Sequence, residues 1–214
     1  MNRWAAAALE LDAWMRERDY AGIDPFDLLA SPLTRRAASA SRWAGVALTQ
    51  LGKRASVDAR GALGIAPARN AKTIGLLLSA QARLAVALPK QAAALERQAL
   101  EQIDWLDRVA DRGGEGVAWG YPFPWANRHF HAPAGTPSAV ATAFIGHGLL
   151  DAARAFDSDR ARSLAADAAR FIDEGLNRLH TGGSALCFSY TPIDARCVHN
   201  ANVLAASLLA RVAG

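Results

Sequence analysis

Residues 139–150 read Ala-Val-Ala-Thr-Ala-Phe-Ile-Gly-His-Gly-Leu-Leu, and only Thr142 and His147 among them are clearly polar. A helix without a polar face has to be buried on all sides. Two further stretches share this character. Thr73 to Leu88 carries Ile74, Leu76, Leu77, Leu78, Leu84 and Val86, and Val198 to Val212 carries Val203, Leu204, Leu208 and Leu209. The segments between them differ. In 90–111, Leu95, Ala99, Ile103, Leu106 and Ala110 recur at helical steps, with Glu96, Arg97, Glu101, Asp104 and Arg108 on other faces. In 159–179, Leu164, Ala168, Phe171 and Gly175 form the stripe. These spacings predict surface helices with one buried face.

Working outward, the pattern predicts seven helices, over 2–18, 34–51, 71–88, 90–111, 137–156, 159–179 and 198–213. Thr136-Pro137 reads as an N-cap followed by proline at the first helical position, and Ser158-Asp159 opens the next helix similarly. Inner and outer helices alternate along the chain. The expected fold is therefore all-α, a single domain over 1–214 built as an α/α toroid of helical hairpins. Links from inner to outer helices are short, near Pro89 and Asp157, whereas 52–70, 112–136 and 180–197 are long. Up-down alternation gathers the long loops at one end, where a rigid scaffold usually carries its site. Each hairpin takes about 60 residues, so the 214 residues are too few for a closed ring. An incomplete toroid, one completed by self-association or by a partner chain, or the front part of a longer toroid is expected.

Composition agrees. Alanine fills 49 positions and aromatics only 7%, which favours helices and argues against a sandwich or barrel. The net charge is +4, from 21 arginines and three lysines against 20 carboxylates. No arginine-rich block is interleaved with aromatics, so nothing specific points to nucleic acid. Ala5 to Ala8 is interrupted at once by Glu10 and Asp12, which does not read as a signal peptide, and no segment approaches the length of a membrane span. Cys187 and Cys197 are too few for a disulfide framework and suit a reducing compartment, so a cytoplasmic location is expected.

Chemistry-bearing residues concentrate in two long loops. Trp119-Gly120-Tyr121-Pro122-Phe123-Pro124-Trp125 holds four of the sixteen aromatics. Such rings either form flat walls that hold sugars or hydrocarbons or plug the end of the helical core. His129 and His131 alternate, which does not suit joint metal binding and leaves one exposed histidine. In the second loop, Leu186 to Tyr190 reads as extended, followed by Asp194, Cys197, His199, Asn200 and Asn202. Asp194 orienting His199 would support acid–base work. A zinc site from Asp194, Cys197 and His199 lacks the paired spacing of structural zinc motifs, and Asp194 with Asn200 also reads as polar capping of the helix start. Asp24 and Asp27 read as a turn and helix start. No residue pattern calls for a cofactor or a metal.

Together, Tyr20 to Leu29, Lys53-Arg54 to Gly64, Asn70 to Lys72 with Gly75, Trp119 to Trp125, Gly135 to Ser138, Cys187 to Pro192 and Val198 to Asn202 resemble a bacterial group. It is the α/α-toroid family, of unproven activity, encoded among exopolysaccharide and capsule biosynthesis genes. The chain departs from that pattern at Ala55, Val57 and Gly61. The resemblance implies a fold shared with six-hairpin glycosidases, sugar epimerases and terpenoid cyclases, and a glycan or sugar-containing small molecule as ligand.

Three functions follow as expectations. In a glycan-active or glycan-binding protein, Trp119, Tyr121, Phe123, Trp125, Tyr190 and Asn200 would bind substrate while Asp194, His199 and His129 transfer protons. Glycoside hydrolysis needs two carboxylates across the bond, and only Glu115 and Asp194 are plainly offered, which weakens hydrolysis relative to epimerase or lyase chemistry. The alternatives are a non-catalytic binding or scaffold subunit of a polysaccharide assembly system, and a terpenoid cyclase or prenyltransferase-like protein. The last lacks an aspartate-rich run.

Overall fold

A computed structural model describes residues 3–54, 59–127, 131–180, 182 and 185–214. His129, Ala55 and Val57 lie outside the described residues. The protein is mainly helical, with eight α-helices and three two-stranded antiparallel pairs among those residues. It divides into two compact units, Met1–Asn70 with Tyr121–Thr136, and Ala71–Gly120 with Pro137–Gly214.

The first unit holds α1 (Arg3–Arg16), α2 (Pro32–Ala40), α3 (Arg42–Arg54) and the strand pairs β1 (Ala21–Gly22) with β2 (Ala68–Arg69) and β3 (Trp125–Ala126) with β4 (His131–Ala132). The single helix expected over 34–51 is two. Ser41 takes extended backbone (φ −157°, ψ 132°) and ends α2, so the chain turns and α2 packs against α3. Leu29, Ala38 and Ala126 form a small core there, with Val46 and Leu48 against it. Pro32 stands in the first turn of α2, where its missing N–H costs nothing, and Ser31 Oγ accepts from Leu33 N at 3.3 Å.

Asp24 and Asp27 form a turn, as their spacing suggests: Asp24 Oδ1 accepts from Phe26 N and Asp27 Oδ2 from Asp24 N, both at 3.0 Å. Asp27 is also buried against Arg60, whose Nε lies 2.6 Å from Oδ1.

The second unit contains the alternating helices: α4 (Ala71–Ala87), α5 (Ala92–Arg108), α6 (Ala139–Phe156), α7 (Asp159–Arg170) and α8 (His199–Ala213). Helix α6 packs against α4 on one side and α8 on the other; α5 lies against α4, and α7 against α6 and α8. The apolar helices thus neighbour one another and the charged ones flank them. Only α6 meets the expectation of burial on nearly all sides. Helices α4 and α8 have neighbours over part of their circumference, and Leu76, Val86 and Val203 are exposed. Glycines set the spacing of α4 and α6. A Cβ on Gly148 would stand 2.0 Å from the Gly75 carbonyl oxygen.

Boundaries differ in two places. The cap of α6 is Ser138, whose Oγ accepts from Ala141 N at 3.2 Å, while the Thr136 hydroxyl instead donates to Pro133 O at 2.8 Å. Helix α7 is capped by Ser158 as expected, but gives way at Phe171–Gly175 to a π turn and then to β5 (Arg178–His180), which pairs with β6 (Leu186–Phe188). On the surface, Arg160 of α7 reaches Asp104 and Asp107 of α5. The Arg160 hydrogen bond holds the Asp107 carboxyl below the usual carboxylate range. Exposed pairs of this kind contribute about 1 kcal/mol or less.

Candidate functional site

The first long loop divides its aromatics between core and surface. Trp119, in the second unit, is 1% exposed. Its indole N–H donates to Leu106 O at 2.9 Å, and its backbone N donates to the Thr142 hydroxyl at 3.2 Å. A tryptophan fastened at both ends of its polar inventory offers no face to a ligand, so here the core-plug reading describes Trp119. Tyr121, Phe123 and Trp125 fall in the first unit and cluster. Tyr121 and Phe123 stack at 5.6 Å between centroids, and Trp125 stands edge-on to Tyr121 at 6.4 Å. Phe123 is buried beneath, whereas Tyr121 and Trp125 remain partly exposed. Strand β3 holds Trp125, and the Gly135 N–H closes the loop on Tyr121 O at 2.8 Å. His131, on β4, is exposed.

The second loop is stitched by its own polar groups. Asp194 accepts from Thr191 N and Thr191 Oγ1, both at 2.7 Å, from Arg196 N at 2.8 Å and from Tyr190 N at 3.3 Å. Asn177 Nδ2 donates to Pro192 O and Asp194 O. Asn202 reaches back to β6, accepting from Phe188 N at 2.7 Å and donating to Phe188 O at 3.0 Å. A carboxylate with four donors on its two oxygens holds a turn. Tyr190 is half-buried, and its carbonyl accepts from Ala139 N at 2.9 Å. His199 and Asn200 stand exposed in the first turn of α8, and no side chain caps that helix.

The cysteine reading is corrected. Cys187 and Cys197 form a disulfide, with Cα atoms 5.8 Å apart. Cys197 is thereby unavailable as a thiolate ligand, which removes the zinc constellation with Asp194 and His199. Closing a ten-residue separation constrains the unfolded chain by about 2–3 kcal/mol. Replacing both cysteines by serine should lower stability by about that amount in denaturant titration. Equal stability of the variant and the oxidised protein would contradict the bond.

A third group escaped the sequence reading. Ser79 of α4, His147 and Asp151 of α6, and Arg211 of α8 form one hydrogen-bonded network across the three apolar helices. Ser79 Oγ donates to Asp151 Oδ2 at 2.7 Å, and Arg211 Nη2 donates to Asp151 Oδ1 at 2.5 Å. Arg211 Nη1 lies 2.9 Å from His147 Nδ1. A guanidinium can only donate, so Nδ1 accepts and the ring proton sits on Nε2. Burial first, and then the Arg211 charge, push the His147 pKa below its ordinary value against the opposing pull of Asp151. Phe144, His147, Asp151 and Arg154 mark the one face of α6 that is not fully buried. Their steps of 3, 4 and 3 were the available signal, hidden by treating His147 as an isolated polar residue.

The chain matches no protein-family model, no curated protein and no solved structure.

Proposed function

We propose that this chain is a glycan-binding protein of the polysaccharide-assembly class, built from helical hairpins as part of an α/α toroid. One observation carries the reading: Tyr121 and Trp125 present partly exposed rings braced by buried Phe123. Aromatic rings held rigidly at a surface bind sugar faces with little ordering cost, since stacking and apolar contact require the rings to be already in place. Binding is favoured over catalysis because the Asp194 carboxylate is committed to its turn. Among the described residues no helix is long and apolar enough to cross a membrane. The Cys187–Cys197 disulfide favours an oxidising setting over the cytoplasm that the cysteine count suggests.

The test is calorimetric titration with soluble exopolysaccharide fragments of neutral, uronic-acid-rich and amino-sugar composition. At least one class should bind, and Tyr121→Ala or Trp125→Ala should weaken it about tenfold, equivalent to about 1.4 kcal/mol of stacking. Absence of binding to all three classes, or affinity indifferent to both substitutions, would overturn the proposal.

A further inference from the structure

Between α4 and α6, on the same side as the Ser79–His147–Asp151–Arg211 network, lies an open depression of about 380 Å³ lined by Ala82, Arg83, Val86, Asp151, Arg154 and Ala155. Its charges are unevenly satisfied. Both oxygens of Asp151 are engaged, one by Arg211 and one by Ser79. Arg211 therefore neutralises Asp151, and His147 accepts a hydrogen bond from the same guanidinium through Nδ1. Arg83 and Arg154 have no such partner among the described residues. Arg83 and Arg154 thus line the depression together with the apolar Ala82, Val86 and Ala155 and with Asp151, whose carboxylate is already engaged by Arg211 and Ser79. The volume is within the range of small-ligand sites.

We propose that this depression binds a compact dianion through Arg83 and Arg154, either a phosphoryl group or a pair of carboxylates carried by a small molecule. Charge decides the class. A dianion matches two guanidinium groups, each able to hold two oxygens in parallel hydrogen bonds, whereas a monocarboxylate leaves one of them unmatched. The apolar lining takes the carbon portion of the ligand, and Asp151, its charge offset by Arg211, repels the anion less than an unpaired carboxylate would. The proposal concerns the second unit alone and stands whether or not Tyr121 and Trp125 bind glycans.

The experiment titrates the whole chain, at constant ionic strength, with inorganic phosphate, malonate and acetate separately, following amide and arginine side-chain shifts by NMR. Saturable binding of phosphate or malonate is expected, with acetate at least about tenfold weaker. Phosphate preferred over malonate assigns the phosphoryl source; the reverse assigns the dicarboxylate. Arg83→Gln and Arg154→Gln should each weaken binding about tenfold, while Arg97→Gln, on α5, leaves it unchanged. Both substituted arginines are exposed, so the variants should keep the parent melting curve, which separates lost binding from lost fold. The proposal is overturned by no saturation with either dianion, by acetate binding as well as they do, or by a double Arg83→Gln/Arg154→Gln variant that binds like the parent.

Discussion

Gly148→Ala is expected to cost more than about 3 kcal/mol, because the added methyl has no direction in which to relax. Its carbon would stand 2.0 Å from Gly75 O, 2.8 Å from Gly75 C and 3.1 Å from Gly75 Cα. All three are backbone atoms of α4, so relief requires the two helices to separate and not a side chain to turn. Separation in turn uncovers Ile74, Leu78, Ile145 and Leu149, which are fully buried. For a chain of this size the melting temperature should fall by roughly 6–12 °C. Gly114→Ala is the control, since nothing lies within 4 Å of its added carbon. A Gly148→Ala variant as stable as that control would mean that α4 and α6 do not approach as closely as described.

Arg60→Met is expected to cost about 3–5 kcal/mol, since it leaves a carboxylate buried without its counter-charge. The Arg60 and Asp27 side chains are 10% and 8% exposed. Arg60 also donates to Asp24 O at 3.0 Å, so the same side chain holds the turn that leads into the helices of the first unit. Adding Asp27→Asn to Arg60→Met should recover a substantial part of the loss, because a neutral amide is less costly to bury than an unpaired charge. Chemical denaturation of the two variants measures this directly. A double variant less stable than Arg60→Met alone would show that packing, and not charge, sets the effect.

Helix positions in the second unit were legible because their periodicity is long and regular, from Leu95 to Leu106 in α5 and across 139–150 in α6. Local competition decided what was not. Ser41 interrupts a segment whose spacing continues through it, and Ser138 takes the cap that the Thr136-Pro137 pair predicts two residues earlier. Trp119 could not be assigned to core or surface from its neighbours, because Leu106 and Thr142, which fix it, lie 13 and 23 residues away. The disulfide was illegible for a related reason: the approach of Cys187 to Cys197 depends on the turn that Asp194 closes. The Ser79–Asp151–Arg211 network joins residues 60 and 72 apart, a separation no local pattern records. Of the expected binding residues, Tyr121 and Trp125 are brought together with Phe123. Tyr190, His199 and Asn200 belong to the other unit.

We propose that this chain holds glycans without transforming them. The most direct measurement is calorimetric titration with the best-binding glycan class, followed by mass and reducing-end analysis of the recovered glycan. Saturable binding that Trp125→Ala weakens about tenfold, with the glycan recovered unchanged, is the predicted result. A glycan that is cleaved or epimerised, or that binds Trp125→Ala as tightly as the parent, would contradict it.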